Sequence, residues 1–350
     1  MGSVGLMKAT LANPYPQTFE QFLDWFSVEE DCTAYVEWIR WPDGFICPEC
    51  GVTEAWRTNR GLWHCQGCGR QSSVTAGTVF EDSRKPLRLW FHVMWLMMAQ
   101  KTGLSAKNLC DTYGFGSYQT AWGWLQKLRS VMIRTGREHL AGRVEVDETY
   151  VGGQKEGARG RGAEGKTLVL VAVEGAAKRK LGRVRFRCLT AIDQDTVESF
   201  VRDYVEPGAT VITDGLSIYD KLEAAGFDHR PYILTTGGES ARRQLDHVHL
   251  VVSLLKRWLA GTHQGAVTPS HLQAYLDEFS FRFNRRLSQH RGKLFYRLMQ
   301  QASGDNSSPT CQRLVCFKTT THSGYLSQSA TQILQWQSGS RQPARSDVQS

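Results

Sequence analysis

The run Arg143-Val-Glu-Val-Asp-Glu-Thr-Tyr-Val151 decides how this chain is read. Its β-branched residues suit a strand, and Asp147 lies at its middle. Two runs of the same kind follow, TLVLVAV (167–173) and RVRFRCLT (183–190), separated by a Gly/Arg-rich hairpin loop at 152–166 and by GAAKRKLG. These three read as consecutive strands. A helix from Thr196 to Tyr204 precedes a fourth strand, ATVITD (209–214), and another helix, Leu216 to Ala225, follows it. A fifth strand near Tyr232 to Leu234 and a polar loop then lead into a helix from about Leu245 to Leu259.

Three meandering strands followed by alternating helices and strands is the element order of a ribonuclease H-like α/β core with a mixed sheet, assigned to 140–300. Upstream, TFEQFLDWFSVEEDCTAYVEWIR places Phe19, Phe22, Leu23, Phe26, Tyr35, Val36 and Ile39 at helical intervals, giving N-terminal helices over 18–40. WPDG breaks that pattern. A cysteine-bearing region then spans 41–82 and a helical region 84–135, while 303–350 is Ser/Gln/Thr-rich without periodicity and reads as a loosely ordered tail.

The 350 residues allow two or three domains, and an apolar content of 41% argues for folded chain over most of them. An excess of 42 Lys+Arg over 34 Asp+Glu gives a formal charge of +8, which favours a polyanionic partner. Nucleic acid leads that class. The longest apolar run, Leu89 to Ala99, is interrupted by His92 and is too short to cross a bilayer. The first residues lack the apolar stretch of a signal peptide, so a cytoplasmic, nucleoid-associated location of bacterial type is expected.

Nine cysteines in such a compartment point to metal rather than disulfides. Cys47-Pro-Glu-Cys50 and Cys65-Gln-Gly-Cys68 form C-x2-C-x14-C-x2-C, a spacing that lets two tight turns present four thiolates to one structural Zn²⁺. Gly51 and Gly69 let the backbone fold beneath the sulfurs. Such a ribbon either grips DNA or braces its neighbouring helices, and the sequence leaves both open. Cys32, Cys110, Cys188, Cys311 and Cys316 lack this spacing and read as core or surface thiols.

Ser105 is a good N-cap for a helix reaching Tyr113, and Gly114-Phe-Gly116 separates it from a second helix, Ser117 to Leu128. This is the layout of a helix-turn-helix, whose second helix would enter the major groove of double-stranded DNA. Ser117, Tyr118, Gln119 and Thr120 would reach phosphates or base edges, and Lys127 and Arg129 the backbone. The alternative is a plain helical hairpin with Ala121, Trp122, Leu125 and Leu128 in a core.

Phosphoryl transfer between DNA strands calls for divalent ions held by oxygen ligands from separate elements. Asp147 at mid-strand and Asp214 at the end of the fourth strand would converge if those strands are neighbours. From Asp214 to His249 there are 34 intervening residues, and Lys256 follows seven residues later, two turns along the same helical face. This interval resembles that of the Asp-Asp-Glu transposases, in which the third ligand precedes a basic residue.

The chain more specifically resembles the ISXO-type insertion-sequence transposases of the IS1595 family, from about Phe19 to Gln301. The likeness rests on RWPDGFICPECG (40–51), VEVDETYVGG (144–153), TDG (213–215), LKRWLAGTHQGAV (255–267) and HLQAYLDEFSFRFNRR (271–286). It implies a ribonuclease H-like catalytic domain, a zinc ribbon, and metal-dependent cleavage at terminal inverted repeats with strand transfer into target DNA. It also implies a homodimer or larger assembly on DNA. Asp147, Asp214 and His249 would be catalytic residues holding Mg²⁺ or Mn²⁺, with His249 where the common pattern has Glu. Asp246 is a rival third ligand, and His249 packed near Val248 and Val252 is the plainer alternative. Lys256 and Arg257 would contact DNA near the cut, with Arg242, Arg243, Arg282, Arg285, Arg286 and Arg291 extending a basic surface. Lys155, Arg159 and Arg161 would add a flexible grip. The competing reading is a catalytically inactive DNA-binding protein descended from a transposase.

Overall fold

Thr18 starts the first helix, α1 (Phe19–Trp25), by accepting the N–H of Gln21 on its hydroxyl. The second, α2 (Glu29–Arg40), has no side-chain cap but carries Glu29, Glu30 and Asp31 in its first turn, where the helix dipole favours negative charge. Glu29 also accepts the N–H groups of Leu87 and Arg88, tying α2 to the start of α3 (Leu87–Ala99). The computed structural model describes residues 8–134, 136–152, 166–176, 180–232, 245–264 and 267–304. The hairpin-loop residues 153–165, with Lys155, Arg159 and Arg161, lie outside that set, as do Arg242, Arg243 and the tail from 305.

Between α2 and α3 lies a small antiparallel sheet ordered β1 (Ala55–Arg57), β2 (Trp63–Cys65), β3 (Gln71–Ser72). Trp41, Phe45 and Trp63 pack together beneath it, with the rings of Phe45 and Trp63 stacked at 5.1 Å. Two further helices follow α3. Ser105 caps α4 (Ala106–Tyr113), Gly114 closes it in the left-handed conformation at φ 61°, and Ser117 caps α5 (Tyr118–Ser130). Trp124 of α5 stacks on Trp90 of α3 at 3.6 Å, so the helical pair is braced from behind.

The larger sheet has five strands, β4 (Arg143–Val151), β5 (Thr167–Ala176), β6 (Lys180–Leu189), β7 (Thr210–Thr213) and β8 (Asp228–Pro231). Their order is β6-β5-β4-β7-β8, with β4, β5 and β6 antiparallel neighbours and β7 and β8 running parallel to β4. This is the ribonuclease H-like arrangement that the element order implies. One face buries Val144, Val146, Leu170, Ala172 and Val211 against Val197, Phe200 and Val201 of α6 (Gln194–Tyr204). The other buries Val169, Val171, Val173 and Phe186 against α7 (Asp246–His263) and α8 (Pro269–Phe283). Strand alternation sends odd and even residues of β4 to these two faces.

Three expectations need correction. A fifth strand forms at Asp228–Pro231, taking its register from β7 with Thr210 opposite Asp228; of the stretch expected from Tyr232 to Leu234, Tyr232 follows this strand and the rest lies outside the described residues. Only Ser217–Leu222 of the helix expected over 216–225 forms, as a 3-10 turn, with Gly226 following at φ 92°. The last helix, α9 (Arg291–Ser303), packs on the N-terminal body rather than on the sheet expected to own 140–300. Its Phe295 meets Phe22, Phe26, Phe91 and Trp95, an aromatic cluster whose partners precede the sheet in sequence.

Candidate functional site

In the ribbon, each cysteine pair sits on a tight turn. Gly51 and Gly69 have φ of 74° and 71°, and their N–H groups bond back to the carbonyls of Cys47 and Cys65. The turns bring Cys47 Sγ to 3.6 Å from Cys68 Sγ and Cys50 Sγ to 3.6 Å from Cys65 Sγ. All four sulfurs lie within 4.8 Å of one another, a set able to hold one tetrahedral ion. Burial opposes ionisation of Cys47, yet the N–H groups of Cys50 and Glu49 and the adjoining thiols draw it down to about 6. Soft thiolate donors of this number suit zinc. Among the other described cysteines, Cys32 is buried and Cys110 and Cys188 are half-buried, outside any such group.

The second cluster is assembled by sheet topology. Parallel pairing of β4 and β7 sets Arg143 against Thr210 and Glu145 against Ile212. Carried two residues further, that register sets Asp147 level with Asp214, just past the end of β7. Asp147, Glu148 and Asp214 are half-buried there, each offering an oxygen within 4.8 Å of the others. Asp214 accepts the N–H of Leu216 at 3.2 Å, an Asx-type turn at the strand end. Glu148 accepts the Tyr219 hydroxyl at 2.8 Å. Burial, then the charges of Asp147 and Asp214, raise the Glu148 carboxyl above its usual range against the Tyr219 bond. Three crowded carboxylates make a place that a divalent cation would relieve.

Glu148 is absent from the sequence-based site. Alternation along β4 assigns it to the α6 face, away from Asp147, and its bond to Tyr219 agrees with that face. Its long side chain nevertheless brings an oxygen within 4.8 Å of those of Asp147 and Asp214. The adjacent pair Asp147-Glu148 in a strand is the signal that would have found it.

His249 arrives on α7, and a buried carboxylate holds that helix in place. Glu145, 1% exposed, accepts the N–H groups of His247 and Val248 at 3.0 Å each and bonds His247 Nδ1 at 2.9 Å. It supplies the cap that Leu245 cannot. One turn of helix then carries His249 Nε2 to 3.4 Å from Asp147 Oδ2. The hydrogen bond to Asp147 raises the His249 pKa, opposed by burial and aided by the charges of Asp147, Glu145 and Asp246. Asp246 itself is exposed and is not part of the carboxylate cluster. Two turns beyond His249, the Lys256 ammonium is pushed down by burial and by Lys166, while Asp147 opposes the shift.

Of the residues expected at DNA, Ser117, Tyr118, Gln119, Lys256 and Arg257 are exposed. The Ser117 hydroxyl is engaged as the α5 cap, and Lys127 is half-buried. Arg129 is a correction: it is 1% exposed, bonds Glu278 of α8 at 2.8 Å, and lies over the Tyr275 ring. It fastens α5 to the sheet domain and cannot meet a phosphate. Arg282, Arg285 and Arg286 likewise direct guanidinium groups at backbone carbonyls, whereas Arg291 is exposed.

A ribonuclease H-like sheet with acidic residues gathered from the middle of β4 and the end of β7, preceded by a four-cysteine ribbon, defines the class of the DDE transposases. Family models agree: the ISXO2-like transposase domain matches residues 139–284 and the transposase zinc-ribbon domain matches residues 27–71. A protein described as "Uncharacterized protein in transposable element ISH50" from Halobacterium salinarum is 30% identical over 266 residues, covering 70% of this chain and 87% of its own length. The pre-cleavage Mos1 transpososome is a solved structure with 12% identity and a TM-score of 0.27, covering 69% of this chain and 83% of its own. The chain belongs to the IS1595 family of insertion-sequence transposases. No helix among the described residues is long and apolar enough to cross a membrane.

Proposed function

We propose that this transposase cuts DNA at the terminal inverted repeats of its element and joins the freed ends to target DNA. The observation that carries the reading is the meeting of Asp147, Glu148 and Asp214 within 4.8 Å, with His249 beside Asp147. Hard oxygen donors of this kind fit Mg²⁺ or Mn²⁺, and the imidazole of His249 favours the softer of the two. Asp147 and Asp214 would hold the ions, with His249 the third catalytic residue and Glu148 a further ligand. Bound there, a divalent ion polarises the scissile phosphate and favours ionisation of the attacking hydroxyl.

The chain's own residues position the reactants. Lys256 and Arg257 on the exposed side of α7 take phosphate oxygens beside the cut, and α5 presents Ser117, Tyr118, Gln119 and Lys127 to duplex DNA. Water oxygen adds to phosphorus in line with the departing 3′ oxygen, which leaves as a 3′-hydroxyl. In the second step that hydroxyl oxygen bonds to a target phosphorus while the target's own P–O3′ bond breaks. The count of phosphodiesters is conserved in this exchange, so no further energy source is needed. Two ends must be handled together, which calls for a homodimer or larger assembly.

The test is incubation of the purified chain with the DNA flanking its own gene and Mg²⁺ or Mn²⁺, mapping nicks to the nucleotide. Nicks at repeat boundaries that yield 3′-hydroxyls, then joined products with a plasmid target, are the expected result. Cleavage without joining would reduce the protein to a nuclease. Activity with Mg²⁺ but none with Mn²⁺ would remove the role given to His249.

A further inference from the structure

A cavity of about 570 Å³ opens at the outer edge of the large sheet, away from the carboxylates. Six arginines line it: Arg134 and Arg137 from the segment after α5, Arg183 and Arg185 from β6, Arg285 after α8, and Arg297 on α9. Glu138 is the one acidic residue among the described residues of its lining. Two of the six are matched, since Arg183 pairs with Glu174 and Arg134 with Glu138. Arg137, Arg185, Arg285 and Arg297 form no ion pair among the described residues.

Arg185 makes the site more than a basic patch. It is 3% exposed, donating through Nη1 to the Val184 carbonyl and through Nη2 to the Glu138 carbonyl, while its Nε has no partner. A buried, unpartnered guanidinium N–H costs stability unless a ligand accepts from it. Burial, followed by Arg137 and Arg183, lowers the Arg185 pKa to about 10. Burial, followed by Arg297 and Arg134, does the same to Arg285. The cavity is short of negative charge, and guanidinium forks match phosphate oxygens in geometry.

We infer that this arginine-lined cavity is a second nucleic-acid contact, binding backbone phosphates of DNA away from the site of cleavage. The inference rests on DNA being the partner, as proposed above. Its walls come from both the helical body and the sheet domain, so a strand held there contacts both parts. Free phosphate or polyphosphate shares the same chemistry, and the test separates the two sources.

The full-length chain is compared with the triple variant Arg134→Gln, Arg137→Gln, Arg297→Gln, its fold checked by circular dichroism. Fluorescence anisotropy of a labelled duplex, without added divalent metal, is followed from about 50 to about 200 mM salt. Loss of three phosphate contacts reduces the slope of log K against log salt by about 2 to 3. Arg202→Gln, on α6, leaves it unchanged. A slope unaltered in the triple variant, or altered as much by Arg202→Gln, overturns the inference. In a second arm, sodium tripolyphosphate is added in a melting experiment. If it stabilises the wild type alone while the DNA slopes coincide, the cavity serves free phosphates and the DNA assignment is wrong. Asp147→Asn in the nicking assay reports separately on the catalytic reading, so either proposal can fail without the other.

Discussion

The two ligand clusters of this chain are built by opposite means. In the ribbon, two local turns bring together sulfurs no more than 21 positions apart, and each turn closes on its own backbone bonds. At the sheet, carboxylates from β4 and from the end of β7 meet only when those strands pair in one register, and His249 joins only because Glu145 seats α7. The first arrangement closes around an ion and stabilises its own fold. The second is open and crowded with like charge, so it stores unfavourable energy in the metal-free protein. On the proposed reading, with a structural ion in the ribbon and a catalytic one at the carboxylates, the two clusters leave opposite marks on stability, and that difference can be measured.

The largest effect expected is on catalysis. Asp147→Asn or Asp214→Asn removes several kcal/mol of transition-state stabilisation, so nicking at the element ends falls by about three decades or more with secondary structure intact. Next comes the ribbon. Cys65→Ser, or a strong chelator, forfeits a structural zinc site of order 10 kcal/mol, seen as loss of one bound zinc per chain and a change in emission from Trp41 and Trp63. Arg129→Ala leaves the buried Glu278 with only the longer 3.4 Å contact to Arg282, at a cost of about 3 kcal/mol in denaturant unfolding. The salt dependence of DNA binding should not change, because Arg129 meets no phosphate.

The sharpest contrast is in a smaller effect. Asp214→Asn keeps the acceptor for Leu216 N–H but removes one of three crowded charges, so the metal-free protein gains about 1 kcal/mol. Its melting temperature should rise by about 2 to 4 °C while activity disappears. A fall instead would mean that the cluster is an ordinary stabilising network, and the comparison with the ribbon would break.

Much of this was legible in the sequence because the signals are local. The cysteine spacing states its own geometry, and the β-branched runs around Val144, Leu168 and Val184 locate the antiparallel meander. Positions that depend on tertiary packing were not legible. Glu148 was missed because alternation sends it to the far face, and only the fold shows its carboxylate meeting those of Asp147 and Asp214. Arg129 looked like a phosphate contact because its partner Glu278 is 149 positions away. Phe295 and its helix looked like part of the sheet domain because nothing nearby in sequence announces the aromatic cluster that holds them. The role of Glu145 was hidden in the same way, since a strand carboxylate capping a helix 102 positions later leaves no local pattern.

Crystals of the full chain soaked in Mn²⁺ test the central claim most directly, through anomalous scattering from the metal. The account predicts density against the carboxylates of Asp147 and Asp214, within reach of Glu148 and His249, that is lost in Asp214→Asn. An empty carboxylate cluster in crystals whose ribbon holds its zinc would contradict it.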